Sequence, residues 1–153
     1  ERVWQEFCKM SDYPNFDRAL VGMHRLNLLP VIFPDLEKLP LHHLEKQLLP
    51  LKNYPKDTPK ALFLTELFPE ASEGKLLALG KYLKASNKDL EYLSFYKQNF
   101  PFDIRLTRYE SAKFYAHPYS EICLAVFAAR LEDRQAFLKA HAEKREDLKI
   151  HIL

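Results

Sequence analysis

Residues 16–36 combine a helical repeat of apolar side chains with a short apolar stretch that follows it. Phe16, Ala19, Leu20 and Met23 lie at positions i, i+3, i+4 and i+7, which is the spacing of one helix face. Polar residues fill the positions between them. The pattern therefore predicts an amphipathic helix that buries this face against the rest of the molecule.

The end of this helix is indicated by Asn27 and Pro30. Asparagine often adopts the left-handed conformation that ends a helix, and proline cannot continue one without losing a hydrogen bond. Residues 28–34 are almost entirely apolar but are too few to span a membrane. We expect them to form a buried connection against which later helices pack.

Helical spacing and start signals recur along the remaining chain. Asn15, Thr58 and Ser86 are candidate N-caps, and residues 61–68 are apolar on nearly all sides, as expected for a central helix. No internal repeat is found, and three glycines against ten prolines disfavour tight hairpins. The prediction is an all-α fold, an irregular array of many helices without a β-sheet. Helices are expected at about residues 2–11, 16–26, 41–49, 59–68, 75–84, 104–116 and 132–146, with others beginning after Ser86 and Pro118.

Composition places the chain among ordinary globular proteins. Hydrophobic residues make up 47% of the 153 residues and charged residues 29%, with a formal net charge of +2. A charge this small excludes a strongly basic surface overall, so any nucleic-acid site has to be a local patch. Cys8 and Cys123 are expected to be reduced thiols rather than a disulfide. No signal peptide or membrane-length apolar run is found, which predicts a cytoplasmic protein.

Residues for catalysis or metal binding are scarce. No two aspartates stand two positions apart, and the three glycines form no phosphate-binding loop, so the carboxylate pair that holds divalent metal in phosphoryl transfer is missing. His42, His43 and Glu45 resemble half of a metal site but are more simply read as solvated loop residues. Cys123 lies in an apolar helix, where its thiol is expected to be inert. We expect no metal site and no catalysis from these residues alone.

Basic residues next to tyrosines are the best candidates for a binding site. Lys81, Lys84 and Lys88 follow at i, i+3 and i+7 across a predicted helix end. A second cluster is formed by Arg105, Arg108 and Lys113. Lysine and arginine neutralise RNA phosphates without reading sequence. The alternative is that these charges only cover the solvent-exposed faces of helices. RNA binding requires both clusters to share one face of the molecule. The tyrosines interleaved with these basic residues along the sequence are Tyr82, Tyr92 and Tyr96.

The N-terminal segment resembles a known enzyme family. The matching residues are Glu1-Arg2-Val3, Glu6-Phe7, Arg18-Ala19-Leu20, Met23-His24, Leu26, Leu28-Leu29-Pro30 and Phe33-Pro34. This pattern resembles the bacterial poly(A) polymerases and tRNA CCA-adding enzymes. The resemblance implies that residues 1–35 are the end of a helical neck and the start of the body, and that residues 36–153 are the body and tail.

The same resemblance implies a function. The whole enzyme would transfer AMP, or CMP and AMP, from ATP or CTP to an RNA 3′ end with magnesium. The nucleotide and metal would bind a catalytic head that precedes Glu1, so that this chain is an excised part that holds tRNA or another RNA. Its partners would be RNA and that head, and Arg2 would lie near the active cleft. Poly(A) and CCA addition both remain open.

The sequence leaves two alternatives to RNA holding. A helical protein–protein interaction module without an RNA role would use the 28–36 segment or exposed aromatic residues to bind a partner. A helical metal phosphohydrolase would need clustered histidine and aspartate ligands, which the sequence lacks.

Overall fold

The fold is an irregular array of α-helices and short 3-10 turns, as the helical periodicity predicted. The computed structural model describes residues 2–103 and 107–152, and no β-strand occurs among them. In that part of the chain no helix is long and apolar enough to cross a membrane. The helices are α1 Arg2–Ser11, α2 Phe16–Arg25, α3 Leu29–Ile32, α4 Leu41–Leu48, α5 Leu64–Leu67, α6 Glu73–Leu83, α7 Asn87–Asn99, α8 Arg108–Ala116, α9 Ser120–Ala128 and α10 Arg134–Ile152; 3-10 turns span Pro34–Leu36, Leu49–Asn53 and Lys60–Phe63.

The connection after α2 is only partly buried. Asn27 has φ 60°, which confirms the predicted left-handed end of the helix. Leu29 and Phe33 are buried, but Leu28 and Val31 are exposed, Val31 to 75%. The predicted burial of this connection is therefore confirmed for Leu29 and Phe33 and wrong for Leu28 and Val31, because residues 29–32 form a single helical turn that presents only one side to the core.

The segment from Lys60 to Leu67 lies at the centre of the molecule. Every residue from 61 to 67 is buried, which confirms its predicted central position. Phe63 is surrounded by aromatic rings of α1 and α2: Trp4 stacks on it at 6.0 Å, Phe7 lies at 5.5 Å, and Phe16 meets it edge-on at 5.4 Å between ring centroids. Such contacts add to the stabilisation from burial. The N-terminal helices are thereby attached to the core.

Of the three predicted N-caps, Ser86 is confirmed, Thr58 is wrong, and Asn15 occupies the N-cap position without a capping hydrogen bond. Thr58 Oγ1 donates to the carbonyl of Pro55 at 2.6 Å, and the extended Pro59 precedes a 3-10 turn instead of an α-helix. Asn15 has φ 69° and its side chain makes no capping hydrogen bond. Ser86 does cap its helix and accepts from the backbone N–H of Asp89 at 3.1 Å. Local composition predicted a break at each position but not the backbone conformation that decides capping.

Helices α6 and α7 form a closely packed antiparallel hairpin. Ser72 caps α6 and accepts from the Lys75 N–H, while Lys84 ends that helix in the left-handed conformation with φ 66°. Gly80 allows the helices to approach, since a Cβ atom added there would lie 2.6 Å from Leu90 Cδ2. The hairpin thus places the end of α6 beside the start of α7.

Helices α8 to α10 complete the array. Helix α8 begins after a capping box formed by Thr107 and Glu110, four residues later than the predicted start at about 104. Helix α10 extends past the predicted end at about 146 to residue 152, so that Leu148 packs as a buried helical residue. His141 on α10 ties these helices together, because its ring bonds to the Tyr115 hydroxyl at 2.7 Å and to the Phe102 carbonyl at 3.1 Å.

Candidate nucleic-acid interface

The three lysines predicted from spacing lie together on the α6–α7 hairpin. Lys81 is in the last turn of α6, Lys84 is the residue that ends it, and Lys88 is in the first turn of α7. All three are exposed. None forms an ion pair with a carboxylate in the part of the chain that the structure describes. Their ammonium groups are therefore accessible to an external anion.

A groove of about 650 Å³ opens beside Lys81. Helices α6 and α7 form two of its sides, and the 117–119 turn between α8 and α9 forms the third. Among its polar side chains, Ser94 and Gln98 donate to the Glu73 carboxylate at 2.6 and 3.0 Å. The groove is lined by Leu77, Lys81, Asn87, Leu90, Glu91, Ser94, Phe95, Gln98, His117, Pro118 and Tyr119.

Aromatic side chains hold the 117–119 turn against α7. The rings of Tyr119 and Tyr92 stack with centroids 3.8 Å apart, and His117 stacks on Phe95 at 4.2 Å. The Tyr119 hydroxyl donates to Glu91 Oε2 at 2.6 Å. This hydrogen bond to the carboxylate raises the pKa of Tyr119 to about 12, because the ionised phenolate could no longer donate to Glu91. The turn is thereby held in place as a wall of the groove.

The tyrosines near the lysines differ in their exposure. Tyr82 is 62% exposed and lies between Lys81 and Lys84 in the sequence. Tyr96 is almost completely buried against Phe102, so it cannot contact a ligand. The predicted interleaving of tyrosines with lysines is therefore wrong for Tyr96, because its helix face is directed to the core.

Arg108 and Arg2 are not among the residues that line this groove. Arg108 is exposed at the first residue of α8, whereas His117, which lines the groove, follows the last residue. A nine-residue helix separates the two ends by roughly 13 Å. Arg2 is exposed at the start of α1 and borders a different, apolar groove. Arg105 lies outside the described residues, so the shared face that RNA binding requires of the two basic clusters stays a prediction.

The buried ion pair between Glu66 and Arg130 was not predicted from the sequence. Arg130 Nη2, just after α9, donates to Glu66 Oε1 of α5 and to the Tyr96 hydroxyl of α7, both at 2.7 Å. The Tyr54 hydroxyl donates to the same carboxylate oxygen at 3.0 Å. Burial raises the pKa of Glu66, while the charge of Arg130 opposes that rise. The available signal was Glu66 itself, the one charged residue in the apolar run 61–68.

Candidate residues for metal binding do not converge in the part of the chain that the structure describes, and the candidate nucleophile Cys123 is buried. In residues 2–103 and 107–149 no group of three or more histidine, cysteine, aspartate or glutamate side chains is placed to hold a metal ion. The rings of His42 and His43 lie 4.4 Å apart on the exposed side of α4. Cys123 is fully buried, and this burial raises the pKa of its thiol to about 12. The thiolate needed for nucleophilic chemistry is therefore disfavoured, in agreement with the expected inertness.

Comparisons with known proteins give no family assignment. No protein-family model, curated protein or solved structure matches this chain. The resemblance of the N-terminal segment to RNA nucleotidyltransferases therefore stays a prediction.

Proposed function

We propose that this chain is the RNA-holding helical region of a template-independent RNA nucleotidyltransferase, either a poly(A) polymerase or a CCA-adding enzyme. In this proposal a catalytic head outside this sequence binds magnesium and the nucleoside triphosphate in the cytoplasm. The chain contributes by positioning the tRNA or RNA 3′ end. A reactant that is already held in place loses less translational and rotational entropy on reaching the transition state, which lowers the activation free energy.

The observation that carries the proposal is the group of three unpaired lysines on the α6–α7 hairpin. These lysines are Lys81, Lys84 and Lys88, which are exposed at the end of α6 and the start of α7. None of them has a carboxylate partner among the described residues. Binding of RNA phosphates would release counterions, which favours association at low salt. The exposed ring of Tyr82 offers a surface on which a base can stack.

A salt series measures this role directly. We expect labelled tRNA to bind the 153-residue chain with an affinity that falls steeply with salt. The triple variant Lys81→Glu/Lys84→Glu/Lys88→Glu should bind tRNA more weakly. The plot of log K against log salt should also become less steep, its negative slope shrinking in magnitude by roughly two to three, because three phosphate contacts are lost. Fluorescence anisotropy over the series gives both values.

The control is a second triple variant, which changes the net charge by the same amount at lysines outside the hairpin. Lys38, Lys46 and Lys139 are exposed lysines outside the hairpin, and their change to glutamate alters net charge by the same amount. If both triple variants lose the same affinity, only net charge matters and the proposed interface is wrong. Absence of binding at low salt would overturn RNA holding by this chain alone.

A second candidate function is a protein–protein interaction module, and an exposed apolar surface favours it. Leu26 and Val31 are exposed to 71% and 75%, and Leu28 is also exposed. An apolar groove of about 310 Å³ opens on α1, bordered by Val3, Met10, Met23 and Ile32 among others. Large exposed apolar side chains in contiguous patches often mark contacts with other proteins.

Sedimentation velocity distinguishes this candidate where the partner is a second copy. A concentration-dependent dimer that is lost in Leu28→Glu/Val31→Glu, together with tRNA binding that is absent, would favour the interaction module. A monomer at every concentration, with intact tRNA binding, would favour the RNA-holding role.

A further inference from the structure

A second cleft, of about 640 Å³, lies between the α1–α2 turn and the 51–60 segment. Its volume falls within the range of small-molecule sites. Its floor is apolar and is built around Phe16 and Phe63, whose rings meet edge-on at 5.4 Å. The other residues of low polarity along it are Leu51, Pro14, Pro55 and Pro59. None of its lining residues borders the groove beside Lys81.

Charged residues line the two sides of this cleft. Asp12 lies in the α1–α2 turn and Asp17 in the first turn of α2, and Lys52 and Lys60 come from the opposite segment. Lys60 forms a close ion pair with Asp12. Lys52 Nζ lies 3.6 Å from Asp17 Oδ2, which is an ion pair beyond hydrogen-bond distance. These two pairs cross the cleft and hold its sides together.

Lys56 stands between the two paired lysines in sequence and has no carboxylate partner in the described residues. An ammonium group carries three hydrogen-bond donors. Those of Lys52 and Lys56 make no hydrogen bond within the described parts of the protein. Lys56 is therefore a cation without a carboxylate partner, and Lys52, whose charge faces the buried Asp17 carboxylate, keeps its hydrogen-bond donors unused. Together the two ammonium groups suit one phosphate group.

The rim of the cleft adds an exposed aromatic ring. Tyr13 is 72% exposed and belongs to the cleft lining. The Asn15 side chain at the same turn makes no helix-capping hydrogen bond and is exposed. An aromatic ring and an apolar floor suit a planar base, and an amide suits its polar edge.

The geometry points to a nucleotide-binding cleft: Lys52 and Lys56 bind the phosphate of a nucleotide unit whose base lies against Tyr13 and the apolar floor. The nucleotide unit belongs either to a free mononucleotide or to an RNA strand, because both carry the same base and phosphate. The inference does not depend on the α6–α7 lysines, since the two sites share no lining residue.

The test is an NMR titration of the 153-residue chain with 5′-AMP, adenosine, inorganic phosphate and a short oligoadenylate. We expect 5′-AMP or the oligoadenylate to shift the amide signals of residues 12–17 and 51–60. Lys56→Ala should weaken that binding roughly two- to fivefold, as for one exposed charge contact. Tyr13→Ala should weaken it about fivefold or more, because a stacked base is lost.

Control variants keep the outcomes distinct. Lys46→Ala removes an exposed lysine outside the cleft and should leave the affinity unchanged. The Lys81/Lys84/Lys88 triple variant should also bind 5′-AMP as the wild type does, so failure of the RNA interface and failure of the cleft are separable. Binding of 5′-AMP alone identifies a free nucleotide as the source, and binding of the oligoadenylate alone identifies RNA.

Three results would overturn the inference. The first is the absence of shifts in the two segments with every probe. The second is adenosine binding as tightly as 5′-AMP, which would remove the role of the phosphate. The third is inorganic phosphate binding as tightly as 5′-AMP with Tyr13→Ala unchanged, which would leave a simple anion site.

Discussion

Glu66 and Arg130 form a buried ion pair in the core, whereas Lys81, Lys84 and Lys88 extend from the α6–α7 hairpin without carboxylate partners in the described residues. The Glu66 side chain is only 5% exposed, so an unpaired carboxylate there would destabilise the folded state. The exposed lysines are solvated by water and need no partner. Burial therefore explains why one set of charges is held within the fold and the other remains accessible to a ligand.

The buried pair connects parts of the chain that are far apart in sequence. Arg130 contacts Glu66 of α5 and Tyr96 of α7, and its guanidinium lies over the Phe127 ring at 5.0 Å from the centroid. Nearby, Asn53 Nδ2 donates to the Ala129 carbonyl at 3.1 Å. Helix α7, which carries Lys88, is thus attached to the core at Tyr96. The pair supports the hairpin on which the lysines stand.

The largest expected effect comes from breaking the buried pair. Arg130→Met keeps most of the apolar packing but leaves the Glu66 carboxylate buried without its cation. We expect a loss of about 3 kcal/mol in the free energy of unfolding. Urea denaturation at neutral pH measures it.

The matched control for that experiment is Lys81→Met, the same replacement at an exposed cation. It should change the free energy of unfolding by less than about 0.5 kcal/mol. A loss below about 1 kcal/mol in Arg130→Met would mean that the buried charge finds compensation elsewhere.

A smaller effect is expected in the pH dependence of stability. Burial raises the pKa of Glu66 above its ordinary value of 4.5 in the folded protein. Between 4.5 and the raised pKa the folded state binds more protons than the unfolded state, so this group's contribution to stability falls as pH rises. Glu66→Gln has no proton to release there. The stability of the wild type minus that of Glu66→Gln should therefore decrease with rising pH.

Urea denaturation of both proteins at a series of pH values above 4.5 gives this difference. The subtraction removes the titration of the other groups that the two proteins share. A difference that is constant, or that increases with pH, would contradict a raised pKa for Glu66.

The smallest effect is expected at the exposed lysines. Lys81→Glu places a negative charge at the C-terminal end of α6, which is unfavourable, and Lys88→Glu places one at the N-terminal end of α7, which is favourable. The two contributions oppose each other, so the triple glutamate variant should unfold within about 1 kcal/mol of the wild type. A larger loss would show that these lysines stabilise the fold and would weaken the RNA-binding interpretation.

Much of the fold followed from local sequence. The four-residue spacing from Phe16 to Leu20 predicted α2, Asn27 predicted its left-handed end, and Ser86 predicted the start of α7. Each of these features is determined by residues a few positions apart, so the spacing of residue types along the sequence predicts it. The exposure of Val31 was not predicted, because whether an apolar residue is buried depends on what packs over it.

The candidate interface was predicted in part. The spacing of Lys81, Lys84 and Lys88 placed them correctly on the exposed side of a helix junction. The same reasoning grouped Tyr96 with them, although it faces the core. It also could not place Tyr119 against Tyr92, since those rings meet only when the 117–119 turn folds onto α7.

Sequence by itself determined the helical class, most helix positions and the exposure of the hairpin lysines, because these depend on residues a few positions apart. Tertiary structure alone decided the Glu66–Arg130 pair, the groove beside Lys81 and the cleft beside Lys56. Each of these requires side chains from segments distant in sequence to approach within a few ångströms. The partners of a buried charge are chosen by packing and desolvation across the whole core, and no local spacing encodes that choice.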